Sequence, residues 1–191
     1  ALLMAVDGLG CVMGLPGSGT GMTSLTEMAG ASNGKIAHDG LDTFIAARTG
    51  LWVFGPPSPN DGSMDSEFIA YSEASSGNPL RIDMNETHLF VLVESNGQSV
   101  VQMFTRTPDT GISAPAVVIS GEYDDMDVSG SSIYLSASDK VELRRFDVID
   151  GVATEAEASF ESNQVLPENQ AFLVDIDEGV AVMTVGTSLE T

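Results

Sequence analysis

An all-β architecture of stacked, twisted antiparallel sheets is predicted by three observations. Five stretches of the chain each consist of two apolar strands around a short polar or glycine turn, which is the signature of a hairpin. The second residues of these hairpins, Leu2, Phe44, Phe90, Tyr134 and Phe172, are 42, 46, 44 and 38 positions apart, a period that suits a four-stranded sheet unit. Glycine, proline, serine and acidic clusters with loop chemistry lie between them. One such unit cannot bury both of its faces alone, so neighbouring sheets must lean on each other.

The elements follow in order. Residues 1–16, ALLMAVDGLGCVMGLP, can be laid over residues 171–185, AFLVDIDEGVAVMTV, with Val12 over Val182 and Met13 over Met183. Residues 43–54, TFIAARTGLWVF, turn at Thr49-Gly50, and residues 89–104, LFVLVESNGQSVVQMF, turn at Ser95-Asn96-Gly97. The fourth hairpin joins Ile133-Tyr134-Leu135 to residues 141–148 through Ser138-Asp139-Lys140. In its second strand Val141 and Leu143 share a phase that Phe146 and Val148 break, so a one-residue bulge is expected near Arg144-Arg145. Leading strands are expected at 35–37, 80–84, 126–128 and 164–166, and trailing strands at 24–28, 67–71, 115–119 and 156–160. The first hairpin has no leading strand and the last has only residues 188–191 to follow it, so the chain is expected to begin and end inside units. An open sheet edge would invite pairing with another chain.

The segment DVSGSSIYLSASDKVELRRFDV resembles the blade repeats of bacterial and archaeal β-propellers of the LVIVD and YVTN kinds. The resemblance implies one domain over residues 1–191, a β-propeller-like array of four to five antiparallel blades. The expected array is a partial or permuted propeller: part of a longer one, an unusually closed ring, or an arc completed by another chain.

Twenty-eight acids against seven bases give a net charge of −21. No basic stripe is available to displace counterions from phosphates, so nucleic acid is not an expected partner. The charge keeps a solvated shell, or draws cations or a basic partner. No apolar run approaches membrane-spanning length. Cys11 is alone, so an internal disulfide is ruled out. Asp7 interrupts the opening apolar run, which therefore reads neither as a signal peptide nor, despite Gly8-Leu9-Gly10-Cys11, as a lipoprotein box.

Several motifs invite chemistry and fall short of it. Residues 14–21, GLPGSGTG, are similar to a phosphate-binding loop, but Thr20 and Gly21 stand where lysine and Ser or Thr are needed. Asp109-Thr110-Gly111 matches one aspartic-protease triplet without the second copy that shares the proton. Asp124, Asp125 and Asp127 are the candidate metal ligands, since Asp125-Met126-Asp127-Val128-Ser129-Gly130 opens like a calcium loop. Its twelfth position, however, is Ser136 rather than a bidentate glutamate. Residues 61–67, DGSMDSE, are a second oxygen-rich loop. No cofactor is expected, calcium being the one candidate ion. His38 and His88 have no histidine or cysteine partner at metal spacing. Cys11 and Trp52 are expected in the core, with the nine methionines filling gaps between sheets.

The expected function is a non-catalytic binding or scaffold module in an extracytoplasmic setting, an accessory or surface subunit that contacts a protein or joins a larger assembly. Its binding rim is expected to carry Arg48, Glu122, Asp139, Lys140, Asp177 and Glu178. Two alternatives stand beside it: a hydrolase or lactonase with a divalent metal on the propeller axis, and a structural repeat that assembles through open edges.

Overall fold

The computed structural model describes residues 34–56, 58, 65–72, 77–107, 111–137, 142–156 and 174–176. It also describes the strand backbones at 3–7, 10–16, 22–28, 160–161, 170–173, 177 and 180–187. Every element among them is a β-strand, and the strands form five antiparallel sheets in chain order.

The first sheet is β1 (Leu3–Asp7), β2 (Gly10–Pro16) and β3 (Met22–Met28). The second is β4 (Lys35–His38), β5 (Thr43–Ala46), β6 (Gly50–Phe54) and β7 (Ser66–Ala70). The third runs β8 (Asn78–Met84), β9 (His88–Ser95) and β10 (Gln98–Thr107), with β11 (Gly111–Ile112) and β12 (Ala116–Gly121) both paired to β10. The fourth runs β13 (Asp125–Ser129), β14 (Ser132–Ala137) and β15 (Glu142–Ile149), with β16 (Val152–Glu155) and β17 (Phe160–Glu161) both paired to β15. The fifth is the pair β18 (Gln170–Asp177) and β19 (Val180–Thr187). All five expected hairpins are therefore present. The first and last share their register, with Ala5 opposite Val12 and Asp175 opposite Val182.

Side-chain alternation decides how the sheets stack. On β9, Leu89, Val91 and Val93 face the second sheet and join Phe44, Ala46, Leu51, Tyr71, Ile82 and Phe104 in one core. Phe90 and Leu92 point the other way, into a core shared with Met126, Ile133, Leu135, Phe146 and Val148 of the fourth sheet. A third cluster joins Leu143 to Val174 and Ile176 of the fifth. Each strand of the run Leu-Phe-Val-Leu-Val is thus apolar at every position because both faces are covered. Each such buried side chain contributes about 1.5–3 kcal/mol.

Two-sided burial also removes the expected bulge. From Ser132↔Asp147 to Ala137↔Glu142 the β14–β15 register is unbroken. Leu143 faces the fifth sheet while Phe146 and Val148 face the third, so the change of parity reports two cores rather than an extra residue. The trailing strand of this sheet also differs from the expected 156–160. The chain reverses at Asp150-Gly151, both with positive φ (51° and 78°), and β16 returns along β15 at once before β17 re-pairs further on. Asp-Gly between alternating apolar residues is the primed-turn signal that marks such a reversal. The leading segment expected at 164–166 lies outside the described residues.

Trp52 belongs to a cross-strand row, Ile36–Ile45–Trp52–Phe68, on the face of the second sheet turned away from the third. Its ring lies 4.9 Å from that of Phe68 and it is only partly buried, so it is less interior than expected.

Candidate functional site: the inner strands and the two rims

Strands β4, β8, β13 and β18 lie side by side in succession, and they form the inner edge of the array. Their backbone N–H groups on that edge have no ladder partner and need another acceptor. Neighbouring strands supply one. Asp83 Oδ2 on β8 accepts from Val128 N on β13 at 2.8 Å. Asp127 Oδ2 on β13 accepts from Ile176 N on β18 at 2.5 Å, and Asp125 Oδ2 accepts from Val174 N at 3.1 Å. The repeating unit is an aspartate between two apolar residues: Ile82-Asp83-Met84, Met126-Asp127-Val128 and Val174-Asp175-Ile176. Each carboxylate of the first two serves the residue after the aspartate of the next strand. Charge-assisted bonds of this kind are about twice as strong as neutral ones.

The second sheet breaks the series. Asp39 accepts from Leu41 N and Asp42 N as Asn85 accepts from Thr87 N and His88 N, which sets Ala37 in the place of Asp83. With no carboxylate arriving from that side, Met84 N donates to Asp83 Oδ1 of its own strand at 2.8 Å.

This bonding corrects the alignment of the last hairpin. Val174 meets Asp125 and Ile176 meets Asp127, so β18 runs parallel to β13 and is an inner strand rather than the equivalent of β14. From Asp83 to Asp127 is then 44 positions and from Asp127 to Asp175 is 48, in place of the irregular 38. The spacing of the aspartates was the available signal.

Electrostatics follow from this packing. Burial raises the Asp125 carboxyl above its ordinary value, opposed by the N–H groups of Val174 and Met126 and by the charge of Arg81, whose Nε lies 3.9 Å from Asp125 Oδ1. Asp127 is pushed up to about 6 by burial, by its side-chain contact with Asp83 and by the charges of Asp83 and Asp175.

The metal candidates separate accordingly. Asp125 to Ser129 is an extended strand, Asp125 and Asp127 are buried against β18, and Asp124 is exposed in the link before it. Among the described residues no three acidic, histidine or cysteine side chains are grouped to hold a metal ion. The oxygen-rich stretch at 61–67 and the 14–21 and 109–111 motifs lie largely outside the described residues. His38 lines a turn, its Nδ1 accepting from Gly40 N at 2.6 Å, and His88 opens β9, its Nδ1 2.9 Å from Thr87 Oγ1.

The rim residues divide between two ends. Arg48 lies at the end where β8 begins, since its carbonyl accepts from Gly77 N at 3.0 Å. Glu122 and Asp124 lie in the link that enters β13 at the same end, and the Asn96-Gly97 turn joins them. Asp139 and Lys140 lie outside the described residues, between strands that end at Ala137 and resume at Glu142 on this side. Asp177 does not belong with them: the parallel course of β18 carries it to the opposite end, beside Ser129, and Glu178 lies outside the described residues.

The opposite rim is stitched. Arg106 donates to Asn85 O at 3.0 Å, pairs with Asp39 and stands 5.4 Å over the Phe44 ring. Asn85 Nδ2 in turn donates to Gly130 O at 2.8 Å, so one polar chain crosses the second, third and fourth sheets. Burial pushes the Asp39 carboxyl up, but the Asp42 and Leu41 amides and the Arg106 guanidinium outweigh it and leave the group below its ordinary value.

No family model matches the chain, and no curated protein matches it. Solved structures do. The N-terminal domain of Nup159 superimposes with a TM-score of 0.58 at 15% identity, over 99% of this chain and 51% of that one. A chain of the S. cerevisiae complex of a Dbp5 variant bound to Nup159, a Gle1 variant, IP6 and ADP gives 0.56 at 14% identity, over 92% and 46%. The chain spans about half the length of the solved chains it matches. The likeness establishes the fold, a propeller-like array consistent with a partial propeller. The LVIVD and YVTN assignment has no family match behind it.

Proposed function

We propose that this array is a non-catalytic protein-binding scaffold whose contact surface is the rim at which β8 and β13 begin. One observation carries this reading: Arg48 of the second sheet, Asn96 of the third and Glu122 of the link into the fourth are exposed on that rim, whereas the other rim is spent on joining sheets. One of the structurally similar chains comes from a complex of several proteins, which supports protein binding as the use of such an array. The mixture of charges from Arg48 and Glu122 suits a polar protein surface better than a polyanion. We place the module in an extracytoplasmic setting, which fractionation of its native source tests. A hydrolase with an axial metal would need carboxylates free to bind it, and Asp125 and Asp127 are already committed to β18.

The test is affinity capture from the native source by the wild type, by the Arg48→Glu, Glu122→Lys double variant and by Thr87→Ala on the other rim. Loss of captured protein with the double variant alone is the expected result. Equal capture by all three would overturn the reading.

A further inference from the structure

We propose that β18 is the docking edge for a second copy of this chain, whose β1 lies parallel to it and gives the Val6 N–H to the carboxylate of Asp175. The rim assigned above takes no part in this contact. Two hydrogen bonds set the rule. The inner-strand aspartate of one sheet accepts from the residue after the aspartate position of the next, Asp83 from Val128 N at 2.8 Å and Asp127 from Ile176 N at 2.5 Å. Asp175 holds the same place in Val174-Asp175-Ile176. It is exposed between two buried neighbours, and among the described residues no backbone N–H reaches it. β13 lies along one side of β18, and no sheet follows the fifth among the described residues. The series of carboxylates thus ends on an acceptor that only water serves in the isolated chain.

β1 has what the rule requires. It is an edge strand of its sheet, as β18 is of the fifth. It keeps with β2 the register that β18 keeps with β19, Ala5 taking the place of Asp175 and Val6 that of Ile176. Val6↔Cys11 and Ile176↔Ala181 each lie one step in from the end of the ladder, at Asp7↔Gly10 and Asp177↔Val180. Amide directions alternate along an antiparallel ladder, so the Val6 N–H points off the open edge as the Ile176 N–H does. The arriving strand supplies only this amide and needs no aspartate of its own. The chain superimposes on 51% and 46% of the similar solved chains, which fits an arc of a propeller. An arc holds its first and last inner strands apart, so one copy does not bring its own β1 to β18. A second copy supplies the remaining length. A two-fold axis then makes both junctions alike, β18 of each copy receiving β1 of the other, and the ring closes. Each junction repeats the parallel contact of β13 with β18 already present within the chain.

The experiment is sedimentation velocity of the 191-residue chain over a concentration series, for wild type, Asp175→Lys and Glu86→Lys. Salt at about 0.3 M screens the repulsion between two chains of net charge −21. Asp175→Lys removes the acceptor yet makes the chain less negative, so general repulsion alone would favour its association. Glu86→Lys makes the same charge change at an exposed position between β8 and β9. The expected result is a wild-type dimer that Glu86→Lys retains. In Asp175→Lys the dissociation constant should rise about a hundredfold, about tenfold for each junction. A wild type that is monomeric at every concentration, one that grows beyond two copies, or a dimer that Asp175→Lys leaves intact would overturn the proposal. Should Asp175→Lys fail to fold, amide exchange at Val6 of the wild type decides. Protection that is lost on dilution to monomer supports the docking; exchange unchanged by dilution overturns it.

Discussion

Asn85 shows how much a single side chain can join. Its Oδ1 accepts from Thr87 N and His88 N, shaping the turn into β9, while its Nδ2 reaches Gly130 O of the next sheet. Asn85→Asp keeps the turn but turns an acceptor oxygen on Gly130 O in place of the N–H donor, so a loss of about 1–2 kcal/mol is expected from urea denaturation. Asn85→Ala removes both and should lose about 2–3 kcal/mol. Equal losses would mean that the turn bonds from Thr87 N and His88 N contribute nothing. Calcium belongs to the same scale. Because Asp125 and Asp127 already accept N–H groups from β18, a calorimetric titration with calcium is expected to show neither heat nor a thermal shift. A saturable heat abolished by Asp125→Asn would return those acids to metal binding.

At the scale of elements, the connections between strands set two tolerances. Gly97 has open space around it but a φ of 77°, so Gly97→Ala strains only the backbone of a primed turn and should cost about 1 kcal/mol. Gly77 has an ordinary φ, but a Cβ there would meet Glu94 O at 2.0 Å, so Gly77→Ala must displace β8 from β9 and should cost more, roughly 1–3 kcal/mol. Thermal melts of the two variants give the order. The hairpins themselves were legible because turn chemistry and apolar alternation are local: Asn96-Gly97 and the run at 89–93 specify a reversal and a buried strand without help. The parity change between Leu143 and Phe146 was misleading for a physical reason. Alternation distinguishes faces only when one face is wet, and β15 buries Leu143 on one face and Phe146 and Val148 on the other. The Asp150-Gly151 turn is as local a signal as Asn96-Gly97, and it sets the trailing strand directly after β15 rather than at 156–160.

For the whole molecule, the period of the chain conveyed that similar sheets repeat, but not what holds their inner edges. That depends on which aspartate meets which amide, a relation between residues 45 to 49 positions apart that no local pattern encodes. The rims were half legible: Arg48 and Glu122 fall at one end, while Asp177 falls at the other, because β18 is itself the inner strand of the last sheet and not the strand after an inner one at 164–166. Core packing between sheets should be the larger stabilising term. Leu92→Ala, at a fully buried site facing the fourth sheet, is expected to lose about 2–5 kcal/mol in urea denaturation. A loss under about 1 kcal/mol would mean that the third and fourth sheets are not packed on each other.

The inner-edge bonding between successive sheets is tested most directly by amide hydrogen exchange at Val128 and Ile176. Both amides should be protected in the wild type although no strand of their own sheet accepts from them. Asp83→Ala should expose Val128 first, and Asp127→Ala should expose Ile176, each variant acting on the sheet that follows its own. Exchange of both amides at the rate of free peptide in the wild type would contradict the stacked array described here.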